Sequence, residues 1–151
     1  MPEIIVRAAR GEDVHEIKKC VDDAFRKYIA RIGKPPAAML FDYSDYINED
    51  KVWVAEYQGD LCGMLVLFPD EEGFYLDTIA VNSSYQGRGV GRALLQFAEQ
   101  EALRRGFSSI YLCTNVKMTE NQILYPKIGY VEYERRTEDG YDRIFYRKQL
   151  G

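Results

Sequence analysis

One histidine, three cysteines, five prolines and one tryptophan are all that 151 residues carry of those types. With so few ligating side chains, and cysteines scattered at Cys20, Cys62 and Cys113 with no C-x-x-C pair, a structural zinc site is not expected. An odd, dispersed set of thiols also argues against a disulfide framework and for a reducing, cytoplasmic setting. No apolar run reaches the roughly eighteen residues of a membrane-spanning helix, and the opening MPEIIVRAARGED has no apolar signal region. Basic residues are outnumbered, 20 Lys and Arg against 24 Asp and Glu, for a net charge of −4. That balance argues against nucleic acid or an anionic membrane as the main partner. Two familiar nucleotide loops are missing as well. There is no Gly-Lys-Ser/Thr, and the glycines at 87, 89 and 91 fall as G-x-G-x-G, not as the G-x-G-x-x-G of dinucleotide folds.

What is present is concentrated between Tyr75 and Phe107, which reads as a strand, a tight turn and a long helix. The turn is Gln86-Gly87-Arg88-Gly89-Val90-Gly91. Turn glycines let a backbone approach an anion, and the opening helix aims its unpaired N–H groups the same way. The site suits a phosphate or pyrophosphate without needing lysine or metal. Glycines before a helix can also serve only to relieve crowding. Arg88 and Arg92 stand at the helix start, where a cation opposes the helix dipole and so faces solvent or meets an anion. The anion is favoured for Arg88.

Along the chain, Ile4 to Arg7 alternates as a strand. A helix beginning at Gly11-Glu12-Asp13 carries Val14, Ile17, Val21 and Ala24 at helical spacing. A second helical piece runs to Ile32 and is stopped by Gly33-Lys34-Pro35-Pro36. Residues 37–50 are weakly periodic, a short helix and loop beside a pocket or simply solvated surface. Strands follow at 51–57, 61–68 and 73–81, the last apolar enough to be central. The helix from Gly89 to Arg105 buries Val90, Leu94, Phe97, Ala98 and Leu103, with Gly106 as its C′ cap. After a strand at 109–114 come a short helix capped by Thr119, and a hairpin of strands at 130–136 and 142–148. The chain is one α/β domain over residues 1–151, with a mixed sheet, several antiparallel pairs and one strand–helix–strand crossover.

These pieces resemble the GNAT superfamily of acyl-CoA-dependent N-acetyltransferases over almost the whole chain. The glycine turn matches that family's Gln/Arg-x-x-Gly-x-Gly/Ala. Leu76-Asp77-Thr78-Ile79-Ala80-Val81 resembles its central strand ending in Ala-Val, and Asn121 to Tyr130 its Asn, Leu-Tyr and Gly-Phe/Tyr elements. The resemblance implies a mostly antiparallel central sheet with splayed central strands, flanked by helices. It implies acetyl-CoA as co-substrate, its pyrophosphate on the turn of Gln86, Gly87, Arg88, Gly89, Val90 and Gly91. The pantetheine arm would pair with Ile79, Ala80 and Val81. Tyr125 would then protonate the departing thiolate, against the plainer reading of a ring packed in the core. Asn121, four residues earlier on the same face, would touch the arm. Asn115 is a second candidate, and capping is a rival for both.

Some relatives carry a glutamate base where this chain has Cys113, which itself reads as core. Asp77, sharing a face with Ile79 by alternation, is the first choice of base. Asp42, Asp45 and Glu49 are fallbacks, and His15 is expected on the surface. Tyr28, Phe41, Tyr43, Tyr46 and Trp53 form an acceptor wall or belong to core. The function implied is transfer of an acetyl group to a primary amine, of a small molecule or of a peptide or protein, by direct attack in a ternary complex. The alternative is a non-catalytic acyl-CoA sensor or regulatory module. A bare interaction domain is the third reading. Tyr141, Ile144, Phe145 and Tyr146 give the C-terminal hairpin an apolar surface, for a homodimer or for cover by the long helices.

Overall fold

Alternation and helical spacing in the sequence become seven strands and five helices in the computed structural model, which describes residues 3–151. The strands are β1 (Ile4–Ala8), β2 (Val52–Tyr57), β3 (Asp60–Asp70), β4 (Gly73–Val81), β5 (Ser109–Asn115), β6 (Val131–Glu138) and β7 (Tyr141–Gln149). The helices are α1 (Val14–Phe25), α2 (Tyr28–Ile32), α3 (Tyr43–Asn48), α4 (Val90–Arg104) and α5 (Thr119–Lys127). The strands form a sheet in the order β1-β2-β3-β4-β5-β7-β6. The pairs β1–β2, β2–β3, β5–β7 and β6–β7 are antiparallel, and β4–β5 is parallel. This is the mixed, mostly antiparallel sheet that the sequence implied. The contacts of the chain gather into two compact units.

The first unit holds the residues up to Leu67 together with Thr78–Ala98. Its core draws on Ile17, Cys20 and Val21 of α1 and on Val52 to Ala55 of β2, all buried. Each such side chain, fully buried, contributes about 1.5–3 kcal/mol for the larger aliphatics. At Gly63 of β3 a Cβ would lie 2.9 Å from Val90 Cγ1, 3.0 Å from Leu94 Cδ1 and 3.1 Å from the Ala80 carbonyl oxygen. Glycine there lets the first turns of α4 approach the strand, and so fixes where that helix begins. Arg7 of β1 donates to both carboxylate oxygens of Asp13, at 2.8 and 3.0 Å, tying the first strand to the turn that opens α1.

The second unit comprises Phe68–Asp77 and Glu99–Gly151. Phe74 to Leu76 register with Ile110 to Leu112, while β4 runs on to Val81 and β5 to Asn115. Two expectations fail here. Leu103 is 48% exposed, because it lies nine residues past Leu94, about two and a half turns round the helix. The stripe continues through Ala98, Glu101 and Ala102 instead. Thr119 does not cap α5; the cap position is Met118, and the preceding turn is closed by Asn115, whose Oδ1 accepts from Lys117 N at 2.9 Å. Tyr141, Ile144, Phe145 and Tyr146 are all buried, so the hairpin offers no surface from these four for a dimer.

Candidate functional site

The segment that leaves β4 is fastened at several points before it reaches the glycines. Asn82 N donates to the Cys62 carbonyl at 2.8 Å, and Asn82 Oδ1 accepts from Ser84 N at 3.0 Å. Asp23 of α1 accepts from Ser83 N at 2.7 Å and from Ser83 Oγ at 3.0 Å. Tyr85 packs its ring 5.8 Å from Tyr57 and donates its hydroxyl to Asp60 at 3.1 Å. So held, the chain turns through Gly87 at φ 80° and Gly89 at φ 86°, a left-handed backbone that suits glycine. The first intrahelical bond of α4 runs from Ala93 N to the Gly89 carbonyl at 3.0 Å. The N–H groups of Val90, Gly91 and Arg92 therefore have no partner within the helix, and the positive end of its dipole lies among them.

A cavity of about 570 Å³ lies at this turn, lined by Val81, Tyr85, Gln86, Gly87, Gly89, Val90, Gly91 and Arg92. Six of these were expected from sequence, and Tyr85 was not. The Arg88 side chain takes another course, its guanidinium 5.8 and 5.9 Å from the Tyr57 and Tyr85 ring centroids. At those distances the guanidinium has a cation–π contact with each ring. Arg92, for which sequence gave no preference, lines the cavity. Asp23 was also missed, because the bond it makes joins residues sixty positions apart.

Burial along β4 alternates, with Leu76, Thr78 and Ala80 buried and Asp77, Ile79 and Val81 half-buried, as the shared face of Asp77 and Ile79 requires. In the second unit, Tyr125 is buried on α5, its ring 5.5 Å from Tyr130 and 6.1 Å from Tyr146. Asn121 Nδ2 donates to Thr114 Oγ1 at 2.9 Å, which anchors α5 to β5. Asn115 is used in its turn. Tyr75 and Cys113 meet through Oη and Sγ at 3.2 Å. Burial pushes the Cys113 thiol up, and Asp77 adds to that push against the opposing pull of Tyr75 and Arg143. A thiol so held stays protonated at neutral pH and is no substitute for a carboxylate base.

The sequence model of the acetyltransferase (GNAT) family matches residues 16–130. The chain belongs to this family. "Probable N-acetyltransferase 14" of Xenopus tropicalis is 39% identical over 99 residues, which cover 64% of this chain and 48% of that protein. The chain thus spans about half the length of this curated relative. The PaiA N-acetyltransferase of Thermoplasma acidophilum, solved in complex with coenzyme A, superposes with a TM-score of 0.79 at 17% identity, over 98% of this chain and 99% of that one. The ribosomal-protein-S18-alanine N-acetyltransferase of Escherichia coli does so with a TM-score of 0.77 at 19% identity, over 99% and 95%. At such identities the likeness is one of fold.

Against this GNAT fold, the remaining candidates can be placed. Phe41, Tyr43 and Tyr46 do cluster, with ring centroids 5.8 to 6.3 Å apart. Tyr28 packs with Phe25 and Trp53 with Phe97. Asp42 caps α3 by accepting from Ser44 N at 3.0 Å, Glu49 pairs with Lys51 at 3.5 Å, and Asp45 is exposed. His15 is exposed, as expected. Among the described residues no group of three or more His, Cys, Asp or Glu could hold a metal ion, and no helix is long and apolar enough to cross a membrane.

Proposed function

We propose that this GNAT chain is an acetyl-CoA-dependent N-acetyltransferase acting on a primary amine by direct attack in a ternary complex. The observation that carries the reading is the turn at 86–92: two glycines at positive φ, helix N–H groups without intrahelical partners, and a cavity opening onto them. Backbone donors from about Arg88 to Gly91 take the pyrophosphate, with Gln86 and Gly87 shaping the approach. Ile79, Ala80 and Val81 offer backbone to the amide arm, and Asn121 remains a candidate contact for it. These groups fit the ligand, since anion and arm are met by backbone and need no added cation.

Acetyl-CoA supplies an activated acyl carbon and a thiolate leaving group. The amine nitrogen bonds to that carbon as the carbon–sulfur bond breaks. The proton of the attacking amine passes to Asp77, directly or through water, and Tyr125 gives its phenolic proton to the departing thiolate. Backbone amides of 79–81 polarise the carbonyl oxygen. The acceptor is a primary amine of a small molecule or of a peptide or protein. Cys20, Cys62 and Cys113 are free thiols, which supports a reducing compartment such as the cytoplasm.

Cys113 also favours a second reading, an acyl-CoA sensor without turnover, because a half-buried protonated thiol stands where some relatives carry a glutamate. Turnover separates the two. Purified protein is incubated with acetyl-CoA and a panel of amino acids, polyamines and short peptides while free thiol is followed. Thiol release that depends on one amine class supports the enzyme; saturable binding with no release across the panel supports the sensor.

A further inference from the structure

Two threonines on adjacent central strands are handled in opposite ways. Thr114 of β5 is buried, and its hydroxyl accepts from Asn121 Nδ2 at 2.9 Å and donates to Met118 sulfur at 3.6 Å. Thr78 of β4 is 4% exposed, and its Oγ1 is buried without a hydrogen-bond partner among the described residues. A hydroxyl left so loses its hydration and regains nothing from the fold. Valine fills nearly the same volume, is equally suited to a strand, and carries no such cost. Packing therefore does not account for an oxygen at this position.

Its place in the strand supplies an account. Thr78 lies three residues before Val81, which lines the cavity, so it stands about 10 Å back along the extended backbone from the cradle, with its side chain on the opposite, buried face of β4. The registered ladder between β4 and β5 ends at Leu76, two residues earlier. An acyl carrier anchored by its pyrophosphate at the glycines, with its arm running back along β4, brings amide and thioester carbonyls to this depth.

We propose that Thr78 is a side-chain ligand of the carrier's arm, its hydroxyl donating to a carbonyl oxygen of the inner amide or the thioester. The inference rests on the acyl-CoA reading above and adds to it a contact that backbone pairing does not supply. Occupied, the hydroxyl regains its hydrogen bond and fixes how far the arm enters.

The test compares wild type, Thr78→Val and Thr78→Ser in two measurements: the thermal midpoint without ligand, and calorimetric affinity for acetyl-CoA and for the nucleotide half of coenzyme A alone (phosphoadenosine diphosphate). Thr78→Val is expected to melt at or above the wild-type temperature, to bind the nucleotide half as wild type does, and to bind acetyl-CoA about 2–10-fold more weakly. Thr78→Ser restores most of that affinity. Unchanged acetyl-CoA affinity in Thr78→Val overturns the proposal, and so does an equal loss for both ligands. A lowered ligand-free midpoint, or failure of the variant to fold, also overturns it, since the hydroxyl would then serve the fold through a bound water. Wild type that binds neither ligand removes the acyl-CoA reading itself, a result distinguishable from any of these.

Discussion

Paired side chains in one unit contrast with the open backbone of the glycine turn in the other. In the unit formed by Phe68–Asp77 and Glu99–Gly151, every arginine is matched by a neighbour. Arg104 and Arg105 share Glu101, Arg135 takes Glu132, Arg136 takes Glu72 and Glu134, and Arg143 takes Glu138. Arg147 donates to Ser109 Oγ and the Glu72 carbonyl and lies over the Tyr111 ring. In the other unit, the stretch from Gln86 to Arg92 presents backbone, with side chains deleted at 87, 89 and 91. These six arginines are thus engaged within their own unit, five of them by carboxylates, at a typical net gain of only about 0–1 kcal/mol per exposed pair. The anion site proposed above lies where N–H groups were left open, a feature that side-chain charge does not mark.

The comparison can be broken in three places. Tyr125→Phe should have the largest effect: with the proposed proton donor removed, the thiol-release rate should fall about 10²–10⁴-fold while acetyl-CoA affinity stays near wild type. A rate equal to wild type would return Tyr125 to the aromatic core it already shares with Tyr130 and Tyr146. Gly89→Val comes next. It forces a branched side chain into φ 86° at the helix start, a strain of about 1–3 kcal/mol, and blocks the approach to the N–H groups. Acetyl-CoA affinity measured by calorimetry should drop at least about tenfold. Arg136→Ala, which removes a guanidinium from the other unit, should leave it within about twofold. Equal losses in the two variants would end the contrast between backbone and side-chain recognition.

Glu101→Gln acts on stability. Arg104 and Arg105 hold the buried Glu101 carboxyl below the usual carboxylate range, against burial that pushes it up. Its stabilising contribution is fully present above the unfolded value of about 4.3 and is lost as pH falls through the lower folded value. Urea unfolding at neutral pH should show the variant about 1–2 kcal/mol less stable, as expected for a lost charge-assisted bond. The gap should close as pH drops below about 4. A gap independent of pH would mean that the carboxyl acts through shape alone.

What the sequence made legible follows from how local each signal is. The strands and the glycine turn were readable because alternation and turn chemistry act within a few residues. The stripe of α4 was read one residue off at its end, where Leu103 looked apolar enough to bury and Glu101 too charged, though two neighbouring arginines make its burial tolerable. Asp23, Tyr85 and Thr78 were not legible as site residues. Each matters through a tertiary relation: a bond across sixty residues, a ring on Tyr57, and a hydroxyl with no protein partner. Arg88 was read by its charge, and its proximity to two aromatic rings was not legible in the sequence.

The central claim is that the backbone of the 86–92 turn binds the pyrophosphate of an acyl carrier. Calorimetric titration of the purified protein with acetyl-CoA, beside free CoA and NAD, tests it most directly. Saturable single-site binding of acetyl-CoA and CoA with NAD silent is the predicted result; folded protein that binds neither coenzyme would contradict it.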